Sequence, residues 1–370
     1  MADSIKNYFI LHYHFDQVAG TERVLYNIIE HLVQDKNNKV HLILLKPKHD
    51  LIFDVQKLPI TVHFLEIDSY AKSSKIDLLK TVFQVSKSLT QYIKSCSIGE
   101  KNSLITTNVY LAYAAYLASK KIPKFSLEVI SCEHFTVTAT SKVTNWFRYL
   151  FYSKINVVML TESDAEYIRK KYKPKNCVCI PNAIPFELQK YQGQESKKII
   201  AIGRYTYQKG FDLLIKAFAQ IGNKYPDWSL QIIGDDYGDK QLMQDLILQN
   251  NLKNVFLLPA TQNIRAYYKE ASFFVMSSRF EGLPMVLLEA LGFGLPIVSF
   301  NCPTGPAQVV SNDNGFLVEN GNLDQLAQSI EALIINDELR KIKAKGAERK
   351  AKDFTKERIN DMWDGLFEKI

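Results

Sequence analysis

The sequence alternates short apolar runs with helix-length amphipathic stretches, and it does so in two consecutive cycles. In the first cycle Tyr8–His12 is typical of a strand, and residues 22–34 carry apolar positions at helical spacing. Such alternation with short connections predicts a parallel sheet covered by helices on both faces. Further strands are predicted at Lys39–Leu45, Val62–Glu66, Ser103–Thr107, Leu127–Cys132 and Asn156–Leu160.

The second cycle begins after residues 186–197, a polar stretch that suits a linker. Its predicted strands are Lys198–Gly203, Ser229–Gly234, Val255–Leu258, Phe273–Met276, Pro296–Ser299 and Gly315–Val318, and its predicted helices span 210–222, 239–250, 262–270, 284–293, 323–335 and 337–352. We therefore predict an α/β protein with two doubly wound domains, residues 1–185 and 186–353. Ligands of such sheets bind at the carboxyl ends of strands, and two domains make a cleft there.

Charge is distributed unevenly along the 370 residues. Residues 1–185 carry 24 lysines and arginines against 16 acidic residues, and the remainder carries 22 against 23. A basic half indicates an anionic partner, either nucleic acid, a lipid surface or a phosphorylated substrate, although a Lys-rich surface that is merely soluble gives the same count. Nucleic acid is disfavoured because the sequence contains no helix-turn-helix, zinc-finger or RNP pattern.

Membrane insertion and disulfide bonding are not expected from this sequence. The longest apolar stretches, such as Val157–Leu160, are far shorter than a spanning helix needs, and residues 1–6 lead into a strand without a signal-peptide pattern. Five cysteines in a large chain are typical of reduced thiols in a cytosolic protein. Cys177 and Cys179 alternate along a strand and form no zinc quartet with the others.

The strongest motif is the segment from Arg279 to Ala290, in which a strand feeds a tight loop and then a helix. Gly282 permits the turn, and Pro284 fits the first turn of the helix, so that backbone N–H groups over 283–286 can meet an anion. Glu281 lies in the loop, and Glu289 lies two turns into the helix with its side chain directed back toward the same ligand. A plain capped helix with surface carboxylates is the alternative.

A second motif, Gly203–Gly210, follows the first strand of the second cycle. It places Arg204 and Lys209 at a strand's carboxyl end, where both cations could hold one diphosphate. Two solvated cations are the alternative for this loop by itself. The glycine–lysine spacing does not match a Walker loop.

Two weaker signals lie in the first cycle. A glycine loop after the first strand leads through Gly20 into a helix, which permits the close approach of a ligand. His134 follows the strand Leu127–Cys132, where it could bind a sugar or polarise a group, although a core or loop histidine is the alternative. His12 and His14 do not have the spacing of metal ligands on a helix. No Asp-x-Asp occurs in the chain, so we expect no metal ion on the diphosphate.

These motifs together resemble those of the family 4 glycosyltransferases, retaining enzymes with two Rossmann-like domains (GT-B). The Glu-x7-Glu element is Glu281 and Glu289, the Gly-Arg…Lys-Gly loop holds Arg204 and Lys209, and the Gly-Gly-x-Glu-Arg loop of many members reads Ala19–Arg23. The resemblance covers the whole chain, with further matches at Leu160–Asp164, Ile180–Asn182 and Cys302–Pro306. It implies a GT-B fold whose helix over 354–370 crosses back to the first domain.

The resemblance also implies roles for single residues. Arg204 and Lys209 would bind the diphosphate of the donor and stabilise it as the leaving group. Glu281 would hold hydroxyls of the donor sugar, Glu289 the ribose, and His134 the sugar near its reacting carbon. Backbone N–H groups near Gly282, Leu283, Met285 and Val286 would help to bind the donor, and Gly20 would let the first loop approach phosphate or acceptor.

By this resemblance we expect a retaining, metal-independent hexosyltransferase without a cofactor. Its donor would be a nucleotide sugar, a UDP-sugar in particular, and its acceptor a lipid-diphosphate-linked saccharide of a capsule, O-antigen or other surface glycan. The alternatives are a nucleotide-sugar epimerase or hydrolase, and an inactive relative that acts as a scaffold or binds sugars. Aromatic and basic residues over Lys142–Lys154 predict peripheral binding to an anionic membrane on its cytoplasmic face, unless they pack in the core.

Overall fold

Both cycles of the sequence form parallel sheets with helices between the strands. The structure, a computed structural model, describes residues 5–16, 20–46, 50–52, 54–67, 75–96, 101–122, 127–134, 136–137 and 140–370. The chain divides into a first unit, Met1–Pro181 with Asn360–Ile370, and a second unit, Asn182–Ile359.

The first unit is built on a sheet of parallel strands with the order β3-β2-β1-β4-β5-β6-β7. Its strands are β1 (Lys6–His12), β2 (Asn38–Leu44), β3 (Thr61–Phe64), β4 (Lys101–Thr106), β5 (Leu127–Glu133), β6 (Asn156–Met159) and β7 (Asn176–Cys179). Its helices are α1 (Gly20–Leu32), α2 (Lys75–Ser95), α3 (Val109–Ser119), α4 (Lys142–Phe151) and α5 (Glu162–Tyr172). The strand order reverses between β1 and β4, and ligands of such sheets bind beside this point.

Apolar side chains from both faces of the first sheet are buried. Phe9, Leu11 and Ile43 point to one face of the sheet and Ile10 and Leu42 to the other, and none of the five has exposed surface, because helices cover the sheet on each side. Strands buried on both faces read as continuous apolar runs, which explains why the strands could be predicted.

The second unit repeats this plan with the strand order β10-β9-β8-β11-β12-β13. Its strands are β8 (Lys198–Ile202), β9 (Ser229–Ile233), β10 (Val255–Leu258), β11 (Phe273–Met276), β12 (Ile297–Phe300) and β13 (Gly315–Val318). Its helices are α6 (Phe211–Ala219), α7 (Lys240–Gln249), α8 (Ile264–Glu270), α9 (Met285–Gly292), α10 (Pro306–Val309), α11 (Leu323–Ile335) and α12 (Asp337–Ala351). Here the order reverses between β8 and β11, so the loops that follow these two strands lie side by side.

The last helix, α13 (Lys356–Lys369), begins in the second unit and ends in the first. The ring of Phe367 packs edge-on against Tyr8 of β1, with 4.9 Å between the ring centroids. Asp364 accepts a hydrogen bond from Nε2 of His31 at 2.9 Å. Trp363 and Leu366 are buried, so the apolar stripe of this helix finds its partners beside β1 and α1.

The fold differs from the sequence prediction mainly at helix ends. The helix predicted over 284–293 begins at Met285, and Pro284 is its N-cap residue with an extended backbone. Proline therefore stands just before the first turn and not inside it. The short helix α10 was not predicted, because four residues carry no helical periodicity.

Candidate active site

The loops after β8 and β11 bring the two strongest motifs of the second unit together. Glu281 accepts a hydrogen bond from the ammonium group of Lys209 at 2.7 Å, although 72 residues separate the two in sequence. Ser278 donates to the same carboxylate oxygen at 2.7 Å. Both side chains of the ion pair are largely buried, which strengthens their attraction. The sequence predicted both residues at this site, but not that they bind each other.

The close contact of these loops depends on Gly210. Its backbone lies in the left-handed region at φ 62°, and an added Cβ would lie 2.2 Å from the carbonyl oxygen of Ser277. Only glycine fits such a position without strain. The backbone N–H of Arg279 donates to the carbonyl oxygen of Gln208 at 2.8 Å, which ties the second loop to the first.

Arg204 is exposed at the end of β8. Its guanidinium lies over the ring of Tyr237, 5.1 Å from the ring centroid, in a cation–π contact. Within the described residues, no carboxylate lies within ion-pair distance of Arg204. Its charge is thus available to an anionic ligand, and the diphosphate contact stays a prediction.

Arg279 forms a bidentate ion pair with Asp212, and no role was predicted for it from the sequence. Its guanidinium donates two hydrogen bonds of 2.8 Å to Asp212 on α6 and one of 2.7 Å to the carbonyl oxygen of Tyr207. It also lies 4.0 Å from the centroid of the Tyr207 ring. Burial by itself raises the pKa of Asp212, but the hydrogen bonds and charge of Arg279 lower that pKa below its usual value. This pair ties the loop after β11, residues 277–284, to the start of α6, which directly follows the loop after β8, residues 203–210. We call these two loops the donor loops.

The start of α9 follows directly after Glu281. Gly282 and Leu283 lead into Pro284, the N-cap residue of α9. The N–H groups of Met285 and Val286 lie in the first turn of the helix and have no carbonyl acceptor within it. In the described part of the chain no side chain caps this end. The loop lies against residues 303–305, because Glu281 donates its N–H to the carbonyl oxygen of Pro303 at 3.1 Å. A helix start of this kind favours an anion.

Glu289 lies on α9 with its side chain largely buried. One of its carboxylate oxygens accepts a hydrogen bond from the hydroxyl of Tyr268 on α8 at 2.8 Å. Tyr268 is fully buried, so this contact fixes the carboxylate in one orientation. The sequence predicted Glu289 at the site but not its partner.

In the first unit, the weaker signals also meet at the ends of strands. His134 follows β5, and its Nε2 atom is buried without a hydrogen-bond partner among the described residues. Burial lowers the pKa of His134 to about 4, with a further lowering contribution from His12 and an opposing one from Glu22. The imidazole is therefore neutral at pH 7. Gly20 is the first residue of α1, and Ala19 lies outside the described residues.

A buried ion pair lies directly behind His134. Arg148, which has no exposed surface, donates to Glu133 from both Nε and Nη2, the first at 2.9 Å. Tyr152 donates its hydroxyl to the same carboxylate. The pair ties α4 to the end of β5. This pair was not predictable from the sequence, because two charges 15 residues apart carry no recognisable pattern.

The prediction that Lys142–Lys154 faces a membrane is therefore wrong for part of the segment. Arg148 points into the unit, and Phe147, Phe151 and Tyr152 pack in its core. Trp146, Tyr149 and Leu150 remain exposed on the other face of α4. No helix in the described part of the chain is both long and apolar enough to span a membrane.

Comparison with known proteins identifies the family. The sequence model of "Glycosyl transferases group 1" matches residues 184–350. An uncharacterised glycosyltransferase of Haemophilus influenzae is 30% identical over 308 residues, which cover 81% of this chain and 85% of that protein. The chain belongs to the group 1 glycosyltransferases.

Two further likenesses extend over nearly the whole chain. N-acetylgalactosamine-N,N'-diacetylbacillosaminyl-diphospho-undecaprenol 4-alpha-N-acetylgalactosaminyltransferase of Campylobacter jejuni is 28% identical over 92% of this chain and 94% of its own. Staphylococcus aureus TarM, solved as a variant with fondaparinux, alpha-GlcNAc-glycerol and UDP, superposes with a TM-score of 0.78 at 17% identity, covering 98% of this chain and 99% of TarM. The second likeness concerns the fold, which is GT-B, as predicted from the sequence.

Proposed function

We propose that this glycosyltransferase moves a hexose or N-acetylhexosamine from a UDP-sugar to a lipid-diphosphate-linked saccharide, with retention at the anomeric carbon. The arrangement of the second unit carries the proposal. Arg204, Lys209 and the start of α9 present positive charge and N–H groups at the ends of β8 and β11. A nucleoside diphosphate is an anion that fits such a site.

The chemistry follows from where charge develops in the reaction. As the bond from the anomeric carbon to the diphosphate breaks, its electron pair remains on the phosphate oxygen, where Arg204 and Lys209 stabilise it. An acceptor hydroxyl forms the new bond to the anomeric carbon on the same face, and its proton passes to the departing phosphate oxygen. Glu281 holds sugar hydroxyls and Glu289 holds the ribose. We assign no carboxylate nucleophile and no metal ion.

The choice of donor and acceptor rests on relatives. The Campylobacter jejuni enzyme is named for an acceptor linked to diphospho-undecaprenol, and the TarM structure contains UDP. A relative from Erwinia amylovora, 28% identical over 69% of this chain, is named for amylovoran biosynthesis. These names support a role in building a surface polysaccharide.

A donor screen tests the proposal. The full chain is incubated with UDP- and GDP-sugars and with undecaprenyl-diphosphate-linked N-acetylhexosamines, and products are read by mass and by the NMR coupling of the new anomeric proton. We expect a UDP-sugar to yield a product one sugar heavier with the anomeric configuration of the donor. Nucleotide release without an acceptor would indicate a hydrolase, and no turnover of any donor would indicate an inactive relative. An isomerised sugar would identify an epimerase.

We also propose that the first unit binds anionic membranes through the exposed face of α4. This face combines Trp146, Tyr149 and Leu150 with the exposed Lys142, and the exposed Lys154 lies in the turn that follows the helix. Rings of this kind lie at headgroup depth, and each cation near an anionic surface contributes about 1 kcal/mol.

Co-sedimentation with phosphatidylglycerol vesicles tests the membrane proposal. We expect binding at low salt, weaker binding at high salt, and a loss in Trp146→Ala. The matched control is Phe83→Ala, which removes another exposed aromatic ring. Equal recovery with neutral and anionic vesicles would contradict the proposal.

A further inference from the structure

Three buried polar side chains of the first unit form a chain of hydrogen bonds. The chain ends on an open carboxylate oxygen, that is, one without a hydrogen-bond partner among the described residues. Oγ1 of Thr107 lies 2.7 Å from Nδ1 of His12, and Nε2 of His12 lies 3.3 Å from Oε1 of Glu22. Each of these residues is at most 6% exposed. The other carboxylate oxygen of Glu22, Oε2, is buried and has no hydrogen-bond partner among the described residues.

The fold brings these residues together at its ligand-binding edge. His12 ends β1, Thr107 directly follows β4, and Glu22 lies in the first turn of α1. Because β1 and β4 are the neighbours at which the strand order of the sheet reverses, this position is where doubly wound sheets bind ligands. The carboxylate is also stabilised by the start of the helix.

A second buried polar atom without a partner belongs to the residue that directly follows β5. Nε2 of His134 is buried without a hydrogen-bond partner in the described ranges of the chain, and His12 and Glu22 both shift the pKa of this imidazole. Buried polar atoms without partners are costly and rare, so two of them in one cluster indicate that a polar ligand or water completes the site.

The direction of the hydrogen bonds follows from the charge of Glu22. Burial raises the pKa of this carboxyl, but the hydrogen bond from His12 and other favourable contacts lower it below its usual value, so Glu22 is ionised at pH 7. An ionised carboxylate only accepts, so Nε2 of His12 carries the proton. On the other side of the ring, Nδ1 of His12 shares a hydrogen bond with the hydroxyl of Thr107.

The charge and the hydrogen-bonding capacity of Glu22 indicate which class of ligand fits the site. An open carboxylate oxygen accepts a hydrogen bond, and its negative charge repels a phosphate. Nζ of Lys46 lies 3.6 Å from Oδ2 of Asp16, so the carboxylate of Asp16 offsets the positive charge of Lys46. A neutral ligand with hydroxyl groups therefore fits this site better than a phosphate does. The sequence motif around Gly20 did not distinguish between a phosphate and an acceptor.

We propose that Oε2 of Glu22 binds a hydroxyl of the acceptor saccharide, and that His12 and Thr107 hold the carboxylate in place for it. This assignment rests on the proposed function, because it identifies the ligand as the acceptor of the transfer reaction. Glu22 is then the acceptor-binding residue of the first unit, and His12 and Thr107 are positioning residues.

Saturation-transfer NMR with the full chain tests the site. The probes are the methyl glycosides of glucose, galactose, N-acetylglucosamine and N-acetylgalactosamine. We expect at least one probe to bind the wild type, and Glu22→Gln to weaken that binding about 10- to 100-fold, because an amide donor replaces the open acceptor oxygen. Thr107→Val, a smaller change, should weaken it about threefold to tenfold, because His12 loses its orienting partner.

The matched control is Glu128→Gln, which alters a carboxylate near the amino end of β5 that pairs with Lys175. It should leave probe binding unchanged. UDP affinity, measured by calorimetry, separates the two proposals, because it should be the same within twofold in Glu22→Gln and in the wild type. Binding of the probe by Glu22→Gln as tight as by the wild type, or no probe binding at all, would overturn the acceptor site. Absence of UDP binding would instead count against the proposed function.

Discussion

The two units place their ion pairs differently around similar strand ends. In the second unit the charges stand in the site itself, where Lys209 pairs with Glu281 and Arg204 is exposed. In the first unit the ion pair of Arg148 and Glu133 is buried behind the site. The strand ends in front of it carry neutral imidazole and one open carboxylate oxygen.

The effect of an ion pair therefore depends on its position in the fold. An ion pair buried in a core affects the free energy of unfolding, because loss of one partner leaves the other charge buried and uncompensated. A pair at an open strand end acts on ligand binding. Substitutions in the two units should separate these two effects.

The largest expected effect is on stability in the first unit. Arg148→Met leaves the carboxylate of Glu133 buried without its cation, so we expect a loss of about 3–5 kcal/mol in the free energy of unfolding. Urea denaturation measures it. The double variant Arg148→Met/Glu133→Gln should lose less than the single one, because it leaves no buried charge. A loss below about 1 kcal/mol in the single variant would contradict this role.

A matched control for this prediction lies in the same unit. Arg169 pairs with Glu162 at 2.6 Å, but both side chains are well exposed. Arg169→Met should cost no more than about 1 kcal/mol, because exposed ion pairs are screened by water.

The next largest effect is on activity in the second unit. Arg204→Ala should lower kcat/KM for the donor about 10²–10³-fold, as expected for the loss of one preorganised group at the leaving oxygen. Its unfolding free energy should change by less than about 0.5 kcal/mol, since Arg204 is exposed. The control is Arg265→Ala, which removes another exposed arginine that lies over an aromatic ring. Activity of Arg204→Ala within a few-fold of the wild type would reject the role.

A smaller effect concerns the neutral histidine of the first unit. With a pKa of about 4 in the folded state, His134 stays unprotonated while the unfolded chain takes up a proton near pH 6.5. The protein should therefore lose stability as the pH falls from 6.5 to 4, by up to about 3 kcal/mol. His134→Gln should remove this part of the pH dependence. Parallel curves for the two proteins over this range would be the contrary result.

The ion pair of Asp212 and Arg279 should have a modest effect on activity. Asp212→Asn keeps the shape of the side chain and removes its charge, so the two donor loops lose part of their bracing. We expect kcat/KM to fall about tenfold, which corresponds to roughly 1.4 kcal/mol. Steady-state kinetics measure it, with Asp227→Asn, an exposed ion-paired aspartate, as the control. Unchanged kinetics would limit the pair to a structural role.

The smallest expected effect is that of EDTA, which should leave the activity unchanged. The reason lies in the sequence, which has no Asp-x-Asp pair to hold a metal ion against a sugar diphosphate. Transfer is measured before and after dialysis against EDTA. Full loss, restored by Mn²⁺ or Mg²⁺, would contradict the prediction.

The fold was predictable because buried parallel strands read as apolar runs between helical stretches. The donor motifs were visible for a similar reason, since Arg204 and Lys209 share one loop and Glu281 and Glu289 are eight residues apart. The spacing of these residues along the chain was therefore enough to predict that the members of each pair lie close together.

Contacts between distant segments could not be predicted in this way. His12 and Thr107 are 95 residues apart, and Asp212 and Arg279 are 67 apart. Only the strand order, with β1 beside β4 and β8 beside β11, makes them neighbours. The burial of Arg148 was missed because one helix presents aromatic and basic residues to both the core and the solvent.

Calorimetric titration of UDP and of uridine tests most directly the claim that the second unit binds a diphosphate through its exposed charges. The ratio of the two affinities isolates the contribution of the diphosphate. We predict that this ratio falls at least about tenfold in Arg204→Ala and is unchanged in Glu22→Gln, because only the first variant removes a cation from the donor loops. An unchanged ratio in Arg204→Ala, or an equal fall in both variants, would contradict the account.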